Sequence, residues 1–211
     1  MTTACSLAFR SGAVAASCAN LAFLLVAARA RASEVPIRLG THLGYAIPLG
    51  GLRENPAGNI VALSSLTRGA FPLGLDVEYG FTSALHAGVF GELTAVPLRE
   101  FSGYGWAYQL GVKAEYSLAP EEAVEPWLGL ATSYEQLAFP EGTTRHAKGW
   151  LYFTALLGID WRLGPVRLGA FTSFALGKYS HEAGGLGELA HPVLHEWLVF
   201  GVRGYFDFGE R

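Results

Sequence analysis

The chain has 211 residues, a formal net charge of −3, and 16% charged against 51% hydrophobic residues. That length holds one ordinary domain plus a short targeting segment, and the charged share lies well under the roughly 25% typical of soluble domains. So weak a charge excludes a nucleic-acid binder, which needs a concentrated basic stripe. The excess of Arg over Lys reads as compositional bias as readily as function.

At the N-terminus Arg10 precedes a run of small and apolar residues, 11–28. Ala28-Arg29-Ala30 and Ala30-Arg31-Ala32 then offer two A-x-A cleavage sites. That order of parts predicts a secretory signal peptide over residues 1–32 and a mature domain over 33–211. The competing reading is an anchor helix, for which the run is only just long enough and which Asn20 interrupts. Cys5 and Cys18 both fall in this segment, so the mature chain is expected to lack disulfides and cysteine-based zinc sites. The apolar run continues past Cys18, where a lipoprotein acylation site would end it.

Segments of period-two alternation follow, punctuated by Gly, Pro and polar clusters. The first, 35–48, sets Ile37, Leu39, Leu43, Tyr45 and Ile47 against Arg38, Gly40, His42 and Gly44. The second, 69–81, opposes Phe71, Leu73, Leu75, Val77 and Tyr79 to Gly74, Asp76, Glu78 and Gly80. The third, 85–97, has His86, Gly88, Phe90 and Glu92 on its mixed face, and the fourth, 104–118, has Gln109, Gly111, Lys113 and Glu115. An acidic turn is expected at 119–125. The fifth segment, 126–137, is the least regular, with Leu128, Leu130, Thr132 and Tyr134 against Trp127, Gly129, Ala131, Ser133 and Glu135.

After a polar loop at 138–148, the sixth segment, 149–163, sets Leu151, Phe153, Ala155, Leu157, Ile159 and Trp161 against Tyr152, Thr154, Gly158, Asp160 and Arg162. The seventh, 166–177, opposes Leu168, Ala170, Thr172 and Phe174 to Arg167, Gly169, Phe171 and Ser173. A long loop, 178–194, leads to the closing stretch HEWLVFGVRGYFDF. There Leu198, Phe200, Val202, Phe206 and Phe208 share one face, while Trp197, Arg203, Tyr205 and Asp207 share the other.

Eight alternating segments, each near or above the roughly 9–11 residues that a tilted strand needs to cross hydrocarbon, point to an all-β, eight-stranded antiparallel transmembrane β-barrel. Longer connections follow the odd-numbered segments, as expected for extracellular loops alternating with short periplasmic turns. Tyr79, Tyr116 and Trp161 fall near the short turns, and Tyr45, Phe71 and Tyr134 near the long loops, suiting two interfacial girdles. Unpaired backbone groups cannot remain in hydrocarbon, so 35–48 is expected to pair with 196–208. The soluble alternative, a lipocalin-type barrel, would turn the charged and glycine-rich face outward.

With apolar faces toward lipid, Arg38, Lys113, Arg162, Arg167 and Arg203 enter the lumen with Asp76, Glu78, Glu92, Glu115, Glu135, Asp160 and Asp207. His42 and His86 face inward too, and the bulky Phe90, Tyr152, Phe171 and Trp197 share the space. Eight strands leave an interior only just wide enough for side chains. The expectation is a lumen plugged by paired charges.

The closing stretch and the pattern over 35–208 resemble the small eight-stranded bacterial outer-membrane barrels, of the OmpA transmembrane domain, OmpX and OmpW types. The resemblance implies residence in the bacterial outer membrane, contact with its lipid and lipopolysaccharide, and recognition of the C-terminal strand by the outer-membrane assembly machinery. It also implies a structural or surface-interaction role. The alternative is a narrow conduit for small solutes or for apolar molecules passing sideways into the membrane. Some barrels of this size modify acyl chains of lipid A, and in the deacylase family a His and a Ser two residues apart share a strand face. None of His42, His86, His146, His181, His191 and His195 has a Ser two positions away, so no catalytic residue and no enzyme activity are expected. The last long loop collects His181, Glu182, Glu188, His191, His195 and Glu196, but in no zinc-binding spacing. Gly184-Gly185-Leu186-Gly187 neither follows a strand nor opens a helix. No metal or cofactor is expected. Arg145, His146 and Lys148 form a small basic cluster suited to lipopolysaccharide phosphates.

Overall fold

The computed structural model describes residues 37–54, 58–99, 103–139, 145–183, 187–188 and 193–208. The expected signal segment and its cleavage sites lie outside the described residues, as does His191. The strands are β1 (Ile37–Glu54), β2 (Ile60–Ala62), β3 (Phe71–Gly80), β4 (Leu85–Pro97), β5 (Tyr104–Ser117) and β6 (Val124–Phe139). They continue with β7 (Arg145–Leu163), β8 (Val166–Ala183), β9 (Gly187–Glu188) and β10 (Leu194–Phe208), and a single helical turn, α1 (Leu63–Leu66), follows β2. Each long strand pairs antiparallel with its neighbour in order, and β1 also pairs with β10. The two short strands β2 and β9 only pair onto β1 and β8 above the ring. The result is a closed eight-stranded barrel.

Closure follows from the alternation. In β1 the pairing with β10 runs from Ile37 opposite Phe208 to Gly50 opposite His195, so the apolar faces of both strands stay in phase. The short turns are built locally. Gly164, with φ 65°, is the first residue of the two-residue loop between Leu163 and Val166, a place that favours glycine. At the β3–β4 turn the Thr82 hydroxyl accepts from the backbone N–H groups of Ala84 and Leu85.

Three features depart from simple alternation. First, Thr132 on β6 faces two residues of β7, where the register slips between Leu151 and Phe153. The Thr132 hydroxyl donates to the Leu151 carbonyl across the slip. Leu151 therefore points inward, and Tyr152 and Phe153 both point outward. This corrects the expected inward Tyr152 and outward Leu151. Second, strands run beyond the membrane-spanning lengths read from the sequence. Residues 145–148 and 178–183 belong to β7 and β8, not to loops. Glu125, expected in a turn, lies in β6. Third, the β1–β3 ladder stops at Leu43 opposite Leu73 and resumes only at Ala46 and Ala70. Pro72, which has no N–H to give, stands in the gap.

Candidate functional site: a filled lumen inside an apolar belt

Outside, the barrel is greasy. Leu110 is 70% exposed and Leu75 69%, and both expected aromatic bands stand exposed on the surface. Inside, acids and bases are buried. A closed barrel with this polarity is stable only with hydrocarbon around it.

The lumen has two layers. Toward the short turns, Asp207 takes the Arg38 Nε at 3.0 Å and the Arg167 Nε at 2.7 Å. Arg167 also pairs with Glu125, which accepts from the Ser117 hydroxyl. Above this level the Arg203 guanidinium donates twice to Glu115 at 2.8 Å and twice to Asp160 at 2.6 and 3.0 Å. It also lies 3.4 Å over the Trp127 ring and 4.8 Å from the Tyr205 ring. Lys113 Nζ reaches Asp76 and Glu78 at 2.7 Å and Glu115 at 3.1 Å. It donates to the Tyr205 hydroxyl at 2.6 Å, which passes a hydrogen bond on to Glu78 at 2.8 Å. His42 closes the layer, with Nδ1 3.1 Å from Asp76 and Nε2 3.1 Å from Glu92. Glycine makes room for these groups, Gly40 under the Tyr205 ring and Gly74 under the His42 ring.

Toward the long loops the filling turns apolar. Leu52, Leu63, Val96, Leu137 and Leu151 are buried there. Among them sits an ion pair, His195 Nε2 to Glu135 Oε2 at 3.0 Å, with the Tyr179 ring stacked on His195 at 3.9 Å. Between the layers lies a cavity of about 80 Å³, walled by His42, Phe90, Trp127, Phe171, Leu151 and Trp197. That is far below the roughly 300–1,000 Å³ of ordinary small-molecule pockets.

The inward residues read from the sequence are where they were expected, Arg162 and Glu135 included, with Tyr152 the exception. Sequence reasoning missed Glu125, Tyr179 and His195 as lumen residues. The signal for His195 was its parity with Trp197 and Arg203 along one strand. Its surplus loop-like neighbours, Glu182 and Glu188, hid that. His181 is exposed at the end of β8, and its Nδ1 lies 2.9 Å from the Ser180 Oγ. Among the described residues no group of His, Cys, Asp and Glu is placed to hold a metal.

No protein-family model matches the chain, and no curated protein does. Solved structures do. The Pseudomonas aeruginosa outer-membrane protein OprG is 13% identical, with a TM-score of 0.56 over 84% of this chain and 97% of that one. Neisserial surface protein A is 17% identical, with a TM-score of 0.52 over 79% and 95%. The outer-membrane protein AlkL in lipid bilayers is 11% identical, with a TM-score of 0.52 over 86% and 93%.

The fold is that of a small outer-membrane β-barrel. The apolar belt and this fold together place the chain in the bacterial outer membrane, with lipid as its surroundings. In such a barrel, axial passage requires the charged layer to part, and its members are tied to one another across β3, β5, β7 and β10.

Proposed function

We propose that this barrel acts through its surface, as a structural or interaction protein, and neither conducts solutes along its axis nor catalyses a reaction. The observation that carries the reading is the lock formed by Arg203, Glu115, Asp160 and Lys113. Parting it exposes several buried charges at once, each costing several kcal/mol without its partner. The long-loop end, lengthened by the extensions of β6, β7 and β8, is the surface available to partners outside the cell. The test is single-channel recording of the refolded protein in planar bilayers. The expected record is flat, and stable conductance steps of nanosiemens scale overturn the reading. Mass spectrometry of lipid A from expressing cells should show no gain or loss of acyl chains.

A second reading rests on Pro72. The ladder gap it makes between β1 and β3 opens beside the cavity, which Pro72 and Ala46 line. A small apolar molecule entering from the long-loop side would leave sideways there. Pro72→Val restores an N–H to the ladder. A fall in uptake of apolar solutes by cells carrying that variant would favour this reading over the first.

A further inference from the structure

The outer face of the barrel changes character where β6, β7 and β8 rise past the upper aromatic band. Tyr134 and Trp150 stand opposite one another there, rings edge to face at 5.6 Å. Trp150 is in turn opposite Lys178 on β8. One row farther from the belt, Lys148 lies between Gln136 on β6 and His181 on β8. The register slip between Lys148 and Gly149 turns His181 to the same outward side as Lys148. A second histidine, His146, follows next along the same face, its Nδ1 3.3 Å from the Gln136 amide nitrogen.

Two of the chain's three lysines are therefore diagonal neighbours on adjacent strands, and the third, Lys113, is buried in the lumen. No ion pair joins Lys148 or Lys178 to another side chain described in the structure. The acids in register around them are Glu188 on β9, opposite His181, and Glu196 on β10, opposite Leu176. Below the patch, exposed Leu130, Leu157 and Phe174 continue the apolar belt. The order along the wall is thus acyl-chain surface, aromatic band, then cations.

We propose that Lys148 and Lys178, with His181, form a binding site for the phosphate groups of a phosphorylated glycolipid of the outer leaflet, of the lipid A class. The chemistry is matched from end to end. Acyl chains lie on Leu130 and Phe174, the sugar meets the Trp150 and Tyr134 rings at headgroup depth, and the phosphates meet the two ammonium groups. A soluble anion would have no use for the apolar column beneath. The proposal rests on the barrel standing in a membrane, as argued above.

The test uses the refolded full barrel with bis-phosphorylated lipid A as probe and dephosphorylated lipid A as control, retained lipid being counted by native mass spectrometry. The expected result is selective retention of the phosphorylated form. The Lys148→Ala/Lys178→Ala double variant should weaken it roughly twentyfold, and the Lys148→Arg/Lys178→Arg pair should restore it. Equal retention by the double-alanine variant, or equal retention of the dephosphorylated lipid, overturns the site. Flotation with phosphatidylcholine vesicles separates this outcome from the other. A wild-type chain that fails to float refutes the membrane reading itself, while one that floats without phosphate preference refutes only the site.

Discussion

Toward the short turns the lumen is filled by Arg203, Lys113 and the carboxylates around them, and toward the long loops by Leu52, Leu63, Leu137 and Leu151 around the His195–Glu135 pair. The same strands build both fillings. Strand β6 carries Glu125 and Trp127 low and Glu135 and Leu137 high. The lower layer is filled by charges that satisfy one another, so each member depends on several others. The upper layer is filled by packed apolar volume, so each member depends mainly on shape. One half should therefore fail sharply when a single partner goes, and the other should fail in proportion to the space left.

The largest effect is expected from Arg203→Ala, which takes from Asp160 and Glu115 the cation they share, leaves Glu115 to Lys113 alone, and should cost about 4 kcal/mol. Urea unfolding of the barrel refolded in lipid vesicles measures it. Replacing Arg203, Glu115 and Asp160 together by Met, Leu and Leu should recover most of that loss. A triple variant as unstable as the single one would break the distinction between the layers. In the upper layer Leu151→Ala should cost about 3 kcal/mol by leaving a cavity, and Leu151→Met should be tolerated under the same assay.

A third substitution asks which side of the wall is which. Leu110→Arg, at the middle of β5 on the exposed face, should cost about 2–3 kcal/mol if acyl chains lie against it. The same change in a water-facing wall would cost nothing measurable. The smallest effect is expected at the upper ion pair. Glu135→Gln keeps a hydrogen-bond acceptor for His195 and should cost about 1 kcal/mol, detectable as a shift of the urea midpoint with an unchanged slope.

Most of this arrangement was legible in the chain because a strand with one face in lipid and one in a charged lumen has the strongest period-two signal available. Arg38, Asp76, Glu115, Arg203 and Asp207 could be assigned to the lumen from parity alone. Tyr152 could not, because a slip of one residue opposite Thr132 leaves no mark in composition, and parity is meaningful only within an unbroken ladder. His195 and Tyr179 were lost for another reason. Where strands leave the membrane, outward residues become polar, as Lys178 and Ser180 are, so the contrast between faces that marks a strand disappears. Glu125 was masked by Glu121 and Glu122 just before it, which made a buried ion-pair partner look like part of an acidic turn. The partner that gives Glu125 its meaning, Arg167, lies two strands away and carries no local signature.

The pairing of β1 with β10 sets a condition on biogenesis. Ile37 meets Phe208 and Gly50 meets His195, residues drawn from opposite ends of the domain. A chain delivered head first leaves the leading edge of β1 raw until the tail arrives, and no smaller ring can form in the meantime. Closure of the ring therefore waits on the last strand to be made. Shortening the final strand should abolish insertion outright where trimming a loop would only loosen it.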